Sequence, residues 1–386
     1  MKESQLSVEC GHTLDKLASQ GLRRRLRTFV NGGLPTIVGG GREFLNLASN
    51  NYLGLANDAR VLEAAKSAID RYGLGAGSAR LLSGNFEVHV ELEAELASFH
   101  GTEAALTFAA GYTGNIAVLS ALLGPRDTAF CDAYIHASLA EGCRVVHSSL
   151  RFYRHGDPEH LESLLRKAPL KGRRLIVTDG VFSMDADLAP LPDLVNIAER
   201  YNAILVVDDA HGVGTVGPKG RGTAAHFGLS DAVPVQIGTL SKAFGSQGGY
   251  VVGSRNLIDL ILNKGRAFLH STAAAPVLSA SALAALRISV AEPQRRERLM
   301  ANLNRLRSGF LAKGLGTLGE IDAPMTAVVF GEPQEAVRQS EKLEAVGIFA
   351  PAIRPPTVPS GTSRIRFAPM ADHTDAEMDR VTQACG

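Results

Sequence analysis

The chain has 386 residues, 45% of them apolar, with 40 Lys and Arg against 39 Asp and Glu for a formal net charge of +1. That is core enough for a large α/β domain with an appendage, and too little charge for a general nucleic-acid surface. Its four cysteines, Cys10, Cys131, Cys143 and Cys385, form no C-x-x-C pair, which argues against a zinc site or a disulfide framework and for a reducing cytoplasm. The opening residues hold no apolar signal core and no later run reaches the length of a membrane span, so the expectation is a soluble chain with neither nucleic acid nor membrane as partner.

Residues 13–27 have helical spacing and end in a basic cluster of Arg23, Arg24, Arg25 and Arg27, and a glycine-rich passage near 32–41 follows. From residue 44 strand-like and helix-like runs alternate: a strand over 104–108, a helix over 115–123, then strands over 128–131 and 174–178. A helix over 191–202 and strands over 203–207, 235–238 and 250–252 continue the pattern. Such alternation predicts a mainly parallel sheet with helices on both faces. Beyond about residue 285 come a charged helix over 293–313, a strand over 326–330, a helix over 333–346, two further strand-like runs and a last helix from Thr374. The predicted division is an arm over 1–45, a large α/β domain over 46–285 and a smaller α+β domain over 286–386.

Lys242 lies in Gly238-Thr-Leu-Ser-Lys-Ala-Phe-Gly245, downstream of the strand-like Ile204-Leu-Val-Val-Asp-Asp-Ala-His211. Together the two segments suggest a pyridoxal phosphate site. An amine that forms a Schiff base with the cofactor aldehyde needs a carboxylate elsewhere to keep the ring nitrogen protonated. Asp208, at the carboxyl end of an apolar strand where open α/β sheets place ligands, is that candidate, and His211 is placed to bond the phenolic oxygen. A carboxylate delivered into a buried site needs a cationic partner, and the protonated ring is one.

The run Gly212-Val-Gly214-Thr-Val-Gly217 matches a dinucleotide fingerprint, but Pro218-Lys-Gly220-Arg-Gly222 follows it and is a poor helix start, so a nicotinamide cofactor is not expected. A phosphate instead suits the turn before the 115–123 helix, with Gly111 and Tyr112 as backbone donors, aided by hydroxyls at Thr239 and Ser241. His136 follows another strand and either stacks on the ring or is an ordinary loop histidine. Ser183 is likewise either a hydroxyl beside the ring or a turn-former.

These residues resemble the α-oxoamine synthase group of fold-type I pyridoxal phosphate transferases over nearly the whole chain. The motifs that carry the likeness are Ser49-Asn-Asn-Tyr-Leu-Gly-Leu55, the 73–84 glycine-rich stretch with Ser78-Ala-Arg80, the 178–185 stretch, Asp208-Asp-Ala-His211, the 238–249 segment and Ser271-Thr-Ala-Ala-Ala-Pro276. The resemblance implies decarboxylative joining of an amino acid to an acyl thioester. By it, Lys242 is the Schiff-base lysine, Asp208 and His211 hold the ring, His136 stacks on it, Ser183 lies beside it and Thr239 meets the phosphate. Arg366 is implied to bind the amino-acid carboxylate, with Asn50 and Arg23 near the substrates. Thr272 is implied to reach the phosphate of a neighbouring subunit, which makes a homodimer with shared active sites. Asn51 stands where the group commonly has aspartate, and Ala79 where it often has glycine.

Ile353-Arg-Pro-Pro-Thr-Val-Pro359 and Gly361-Thr-Ser-Arg-Ile-Arg366 look most like the branch that joins L-alanine to a pimeloyl thioester, carried on coenzyme A or acyl carrier protein, in biotin formation. A glycine C-acetyltransferase or another α-oxoamine synthase, an aminotransferase on the same fold and a non-catalytic partner subunit are the rival readings.

Overall fold

The computed structural model describes residues 4–168 and 172–385. Seven strands form its central sheet, in the order Ala104–Phe108, Gly249–Gly253, Val235–Thr239, Ile204–Asp208, Arg174–Asp179, Thr128–Asp132 and Ser149–Tyr153. Only Gly249–Gly253 runs against its neighbours; the other pairings are parallel.

Alternation along the strands sorts the core into two layers. Val206, Leu175, Val177, Ala129 and Cys131 point to a layer built with the helices Gly111–Leu122, Ala137–Arg144 and Arg255–Lys264. Leu205, Val207, Ile176 and Phe130 point to the opposite layer, with the helices Pro158–Lys167 and Leu191–Arg200. Covered on both faces, these strands read as near-continuous apolar runs, and each fully buried Val, Leu or Ile contributes about 1.5–3 kcal/mol. The period of two also decides where functional groups point: Asp208 shares the face of Val206, and Asp179 that of Val177.

The last hundred residues build a four-stranded antiparallel sheet of Thr317–Leu318, Thr326–Gly331, Ser363–Phe367 and Ala352–Ile353. Helices Gln294–Ala312, Pro333–Ala345 and Asp375–Ala384 accompany it. The hairpin Thr36–Gly39 and Arg42–Asn46, assigned to an N-terminal arm by sequence, pairs in parallel with Ile348–Phe349, and Leu45 and Leu47 share a cluster with Phe367 and Met378. The hairpin therefore packs with the C-terminal elements.

The first helix also differs from expectation. It spans Gln5–Ser19, with Ser4 Oγ accepting from Ser7 N at 3.2 Å, and Gly21 at φ 66° lies just past its end. The arginine cluster thus follows the helix instead of closing it, and no residue of the helix is buried in the chain. Asn51, in place of the more common aspartate, donates from Nδ2 to Gly33 O at 2.7 Å while its Oδ1 accepts from Ala56 N at 3.2 Å. A carboxylate has no proton for the first of these bonds, which ties the N-terminal passage to the Ser49–Leu55 stretch.

Candidate active site

Asp208, Asp179 and Lys242 meet at the carboxyl ends of the parallel strands, in a cavity of about 170 Å3 that Gly111, Tyr112, Asn115, His136, Ser183, His211 and Thr239 also line. Pointing to the side of helix Gly111–Leu122, Asp208 finds Asn115, whose Nδ2 donates to Asp208 Oδ2 at 2.6 Å and to Ser138 Oγ at 2.8 Å. Asp208 Oδ1 accepts from Ala210 N at 3.0 Å. Asp179, paired with Asp208 across the two strands, is buried, and burial first and Asp208 second push its carboxyl well above the ordinary range. Asp179 accepts from His136 N at 3.1 Å and so seats the histidine.

His136 caps the helix Ala137–Arg144, with Nδ1 at 2.6 Å from Ser138 Oγ and accepting from Ser138 N at 3.4 Å. Ser138 Oγ accepts from Asn115, which frees its own proton for His136 Nδ1, so hydrogen bonds run unbroken from Asp208 through Asn115 and Ser138 to His136. His136 opens onto the cavity, yet the atoms packed round its ring disfavour the cation and lower its pKa. Lys242 is lowered to about 8, chiefly by burial and against the pull of Asp208 and Asp179, so a substantial share of the amine is neutral near pH 8.

At the other end of the cavity, Gly111 begins the helix close to Thr239: a Cβ on Gly111 would lie 3.5 Å from Thr239 Oγ1. The helix start presents backbone N–H groups beside a hydroxyl, an arrangement suited to a phosphate. Thr239 Oγ1 donates to Gly248 O at 2.8 Å, and Ser241 Oγ is turned to the same carbonyl at 3.2 Å. The Tyr112 ring stands edge-on to His136 at 6.3 Å while its hydroxyl donates to Glu141. The donor set fits pyridoxal 5′-phosphate: anion-binding amides at one end, a largely buried amine within reach, and Asp208 for a protonated ring nitrogen.

His211 Nδ1 lies 2.7 Å from Tyr52 Oη, and both residues are buried. Beside them Arg366, on the strand Ser363–Phe367, donates to Asn50 Oδ1 at 3.1 Å and to Ser183 O at 3.1 Å, with Met325 between it and Tyr52. Arg364, two residues earlier, is held by Asp185 at 2.7 Å and Met184 O at 3.0 Å and is structural. A second hollow of about 610 Å3 shares His136 and Ser183 with the first and runs between Tyr134, Phe182, Met184 and the 356–359 segment.

Two expected residues stand apart within one chain. Thr272 lines a separate recess with Arg80, Phe108 and Thr113, not the Lys242 cavity. Arg23 is exposed, whereas its neighbour Arg24 lines a hollow with the 351–355 segment and donates to Thr357 Oγ1 at 3.3 Å. The dinucleotide-like glycines open no helix: Pro218–Gly220 is a single 3-10 turn. Gly212 instead makes room for Asp209, as does the later Gly222: a Cβ on Gly212 would come within 1.9 Å of Asp209 Oδ1 and one on Gly222 within 2.0 Å of its Oδ2.

Asn115, Ser138, Tyr52 and Asp179 carry the hydrogen bonding of the site and were not singled out by sequence. Each lay in or beside a segment that was: Tyr52 within Ser49–Leu55, Asn115 at the start of the expected helix, Ser138 two residues after His136, and Asp179 in the 178–185 stretch, one residue past an expected strand. His155 was also unsuspected. It stands between Asp132 Oδ1 at 2.8 Å and Asp187 Oδ2 at 2.9 Å, stacked on Tyr134 at 4.3 Å.

A family model for class I and II aminotransferases matches residues 42–384. An 8-amino-7-oxononanoate synthase of Lysinibacillus sphaericus is 44% identical over 373 residues, 95% of this chain and 94% of the relative. Among solved structures, a serine palmitoyltransferase from S. paucimobilis with PLP and myriocin bound superposes with a TM-score of 0.93 at 30% identity, covering 99% of this chain and 97% of that one. An 8-amino-7-oxononanoate synthase from Francisella tularensis does so with a TM-score of 0.77 at 26% identity, covering 88% and 96%.

Proposed function

Because the chain belongs to the class I and II aminotransferase family, with 8-amino-7-oxononanoate synthases among its relatives, we propose that it joins L-alanine to a pimeloyl thioester, releasing carbon dioxide, the free thiol and 8-amino-7-oxononanoate for biotin formation. The observation that carries this reading is the meeting of Lys242, Asp208 and His211 in one cavity with Arg366 beside it, in a chain 44% identical to such an enzyme over almost its full length.

Bound there, pyridoxal 5′-phosphate supplies an aldehyde that captures the amino group and a protonated ring that accepts the electron pair released at the α-carbon. The amides of Gly111 and Tyr112 and the hydroxyl of Thr239 hold the phosphate. Asp208, oriented by Asn115, keeps the proton on the ring nitrogen. His136 would pack against the bound ring, Ser183 would lie beside it, and His211 would bond the phenolic oxygen. Lys242 takes the α-proton through its neutral amine, which burial makes available near pH 8.

Arg366 offers two guanidinium donors to the alanine carboxylate, the geometry a planar carboxylate needs, and Asn50 positions that guanidinium. The hollow between Tyr134, Met184 and the 356–359 segment suits the acyl chain, because it opens from His136 and Ser183 and has Phe182, Met184, Pro356 and Val358 in its walls. Arg23, in the basic cluster beyond the first helix, is assigned to an anionic end of the thioester. Thr272, set apart from the cavity of its own chain, is assigned to the phosphate of a second subunit in a homodimer. The carrier is coenzyme A or acyl carrier protein and the setting a reducing cytoplasm; no helix among the described residues is long and apolar enough to cross a membrane.

The test is a panel of kcat/KM values for alanine with pimeloyl-CoA, glycine with acetyl-CoA and serine with palmitoyl-CoA. The first pair is expected to dominate. Preference for the second would make the chain a glycine C-acetyltransferase, and preference for the third would place it with its serine palmitoyltransferase neighbours.

A further inference from the structure

Tyr52 is wholly enclosed, and its hydroxyl has three neighbours: His211 Nδ1 at 2.7 Å, Asn50 Oδ1 at 3.3 Å and Met325 Sδ at 3.9 Å. Burial pushes the phenol up to about 12, so it keeps its single proton at any working pH. His211 is also buried, and burial, with Lys242 and Arg366 nearby, drives its pKa well below the ordinary value. The pair is therefore neutral, with one proton each, and one of the two must donate to the other.

The geometry decides which. An O–H···O bond prefers 2.5–3.0 Å, so Asn50 Oδ1 at 3.3 Å is a poor acceptor for the phenol, and it already accepts from the Arg366 guanidinium at 3.1 Å. His211 Nδ1, at 2.7 Å, is the nearest and best-placed acceptor for the Tyr52 proton. With Nδ1 accepting, the histidine proton sits on Nε2, the ring nitrogen with no protein partner among the described residues, and His211 lines the cavity.

We propose that Tyr52 is a positioning residue that fixes His211 as its Nε2–H tautomer and so makes the histidine an obligatory donor into the cavity. A histidine free to change tautomer would present a bare nitrogen there part of the time, and a bare nitrogen repels an oxygen. Asn50 completes the device. Held by Arg366 at 3.1 Å, its Oδ1 stays 3.3 Å from the phenol, a longer and weaker acceptor for that proton than His211 Nδ1 at 2.7 Å. Which oxygen His211 meets rests on the function proposed above, but the tautomer does not.

The experiment is long-range 1H–15N spectroscopy of protein labelled with 15N-histidine, recorded with and without pyridoxal phosphate, on wild type and Tyr52→Phe. His211 is expected to show the Nε2–H pattern in the wild type in both states, and to gain a measurable Nδ1–H fraction in the variant. The bound cofactor's visible-absorbance titration should move by at least half a pH unit in Tyr52→Phe, because the phenolic oxygen loses a fixed donor. The variant's kcat should fall about 10-fold, with KM for the thioester within about 2-fold.

A wild-type His211 carrying its proton on Nδ1 overturns the proposal whatever the variant does. So does a folded Tyr52→Phe protein with unchanged tautomer and unchanged titration. If the protein binds no pyridoxal phosphate but His211 is Nε2–H, the functional reading fails and the tautomer lock stands.

Discussion

Asn115 Nδ2 donates to Asp208 Oδ2 at 2.6 Å and to Ser138 Oγ at 2.8 Å, so one buried amide orients the carboxylate on one side of the site and, through Ser138, the His136 imidazole on the other. Replacing it with alanine leaves a carboxylate oxygen without its donor at a cost of about 1–3 kcal/mol. Asn115→Ala is expected to keep its fold and lose roughly 10- to 100-fold in kcat/KM. Steady-state kinetics with alanine and pimeloyl-CoA check this, and a wild-type value would show that Asp208 needs no such support.

Lys242→Ala should fold normally and have no measurable turnover, since the side chain faces the cavity and the lost amine is both attachment point and base. In the wild type, the lowered amine pKa of about 8 sets the pH dependence of cofactor uptake. Only the neutral amine attacks an aldehyde, so the reconstitution rate should rise with pH below about 8 and level off above it. Visible absorbance after mixing with pyridoxal phosphate follows the course, and a plateau reached only near pH 10 would contradict the shift.

His155 lies between two carboxylates. Burial alone would lower its pKa, but the hydrogen bonds to Asp132 and Asp187 outweigh that and lift it to about 10. A folded value above the unfolded value of about 6.5 means the stabilisation is fully present below pH 6.5 and is lost as pH rises toward 10. His155→Asn should therefore lower the melting temperature at pH 6 and leave a much smaller difference from wild type at pH 10. Equal destabilisation at both pH values would mean that packing against Tyr134 and Phe182, not charge, is what the histidine contributes.

Arg366→Lys keeps the charge and gives up the two-pronged geometry. KM for alanine is expected to rise about 10-fold or more while KM for the thioester changes little. Initial rates with each substrate varied in turn separate the two, and an equal rise in both would place Arg366 outside the amino-acid subsite.

Thr272 sits in a recess away from the Lys242 cavity of its own chain, which suits a role in a second subunit. Mixing Lys242→Ala with Thr272→Ala subunits should yield hybrid dimers with one intact site and one lacking both groups. Activity should then exceed that of the Lys242→Ala parent, and cofactor retention that of the Thr272→Ala parent. Confirmed subunit exchange without either gain would count against a site shared between subunits.

Much of this protein was legible in its residues because the rules involved are local. Short strand-like runs between helix-like ones marked the buried strands, and the expected runs over 104–108, 235–238 and 326–330 lie within or on the observed strands Ala104–Phe108, Val235–Thr239 and Thr326–Gly331. The order of Asp208, His211 and Lys242 suggested the cofactor before any geometry was known, since the chemistry demands a carboxylate and an amine whatever holds them. Helix ends were less legible. The first helix begins at an N-cap, Ser4, that no apolar stripe announces, because the helix buries nothing in its own chain.

Tertiary structure alone decided what each functional group touches. Asn115 and Asp208 are 93 residues apart, Tyr52 and His211 159, and Arg366 and Asn50 316. A sequence pattern fixes the direction of a side chain relative to its own strand or helix, because that follows from backbone dihedrals. Which other side chain waits there depends on strand order and crossovers, set by how the whole core closes. The same closure joined the Thr36–Asn46 hairpin to Ile348–Phe349 and left Thr272 outside the cavity of its own chain.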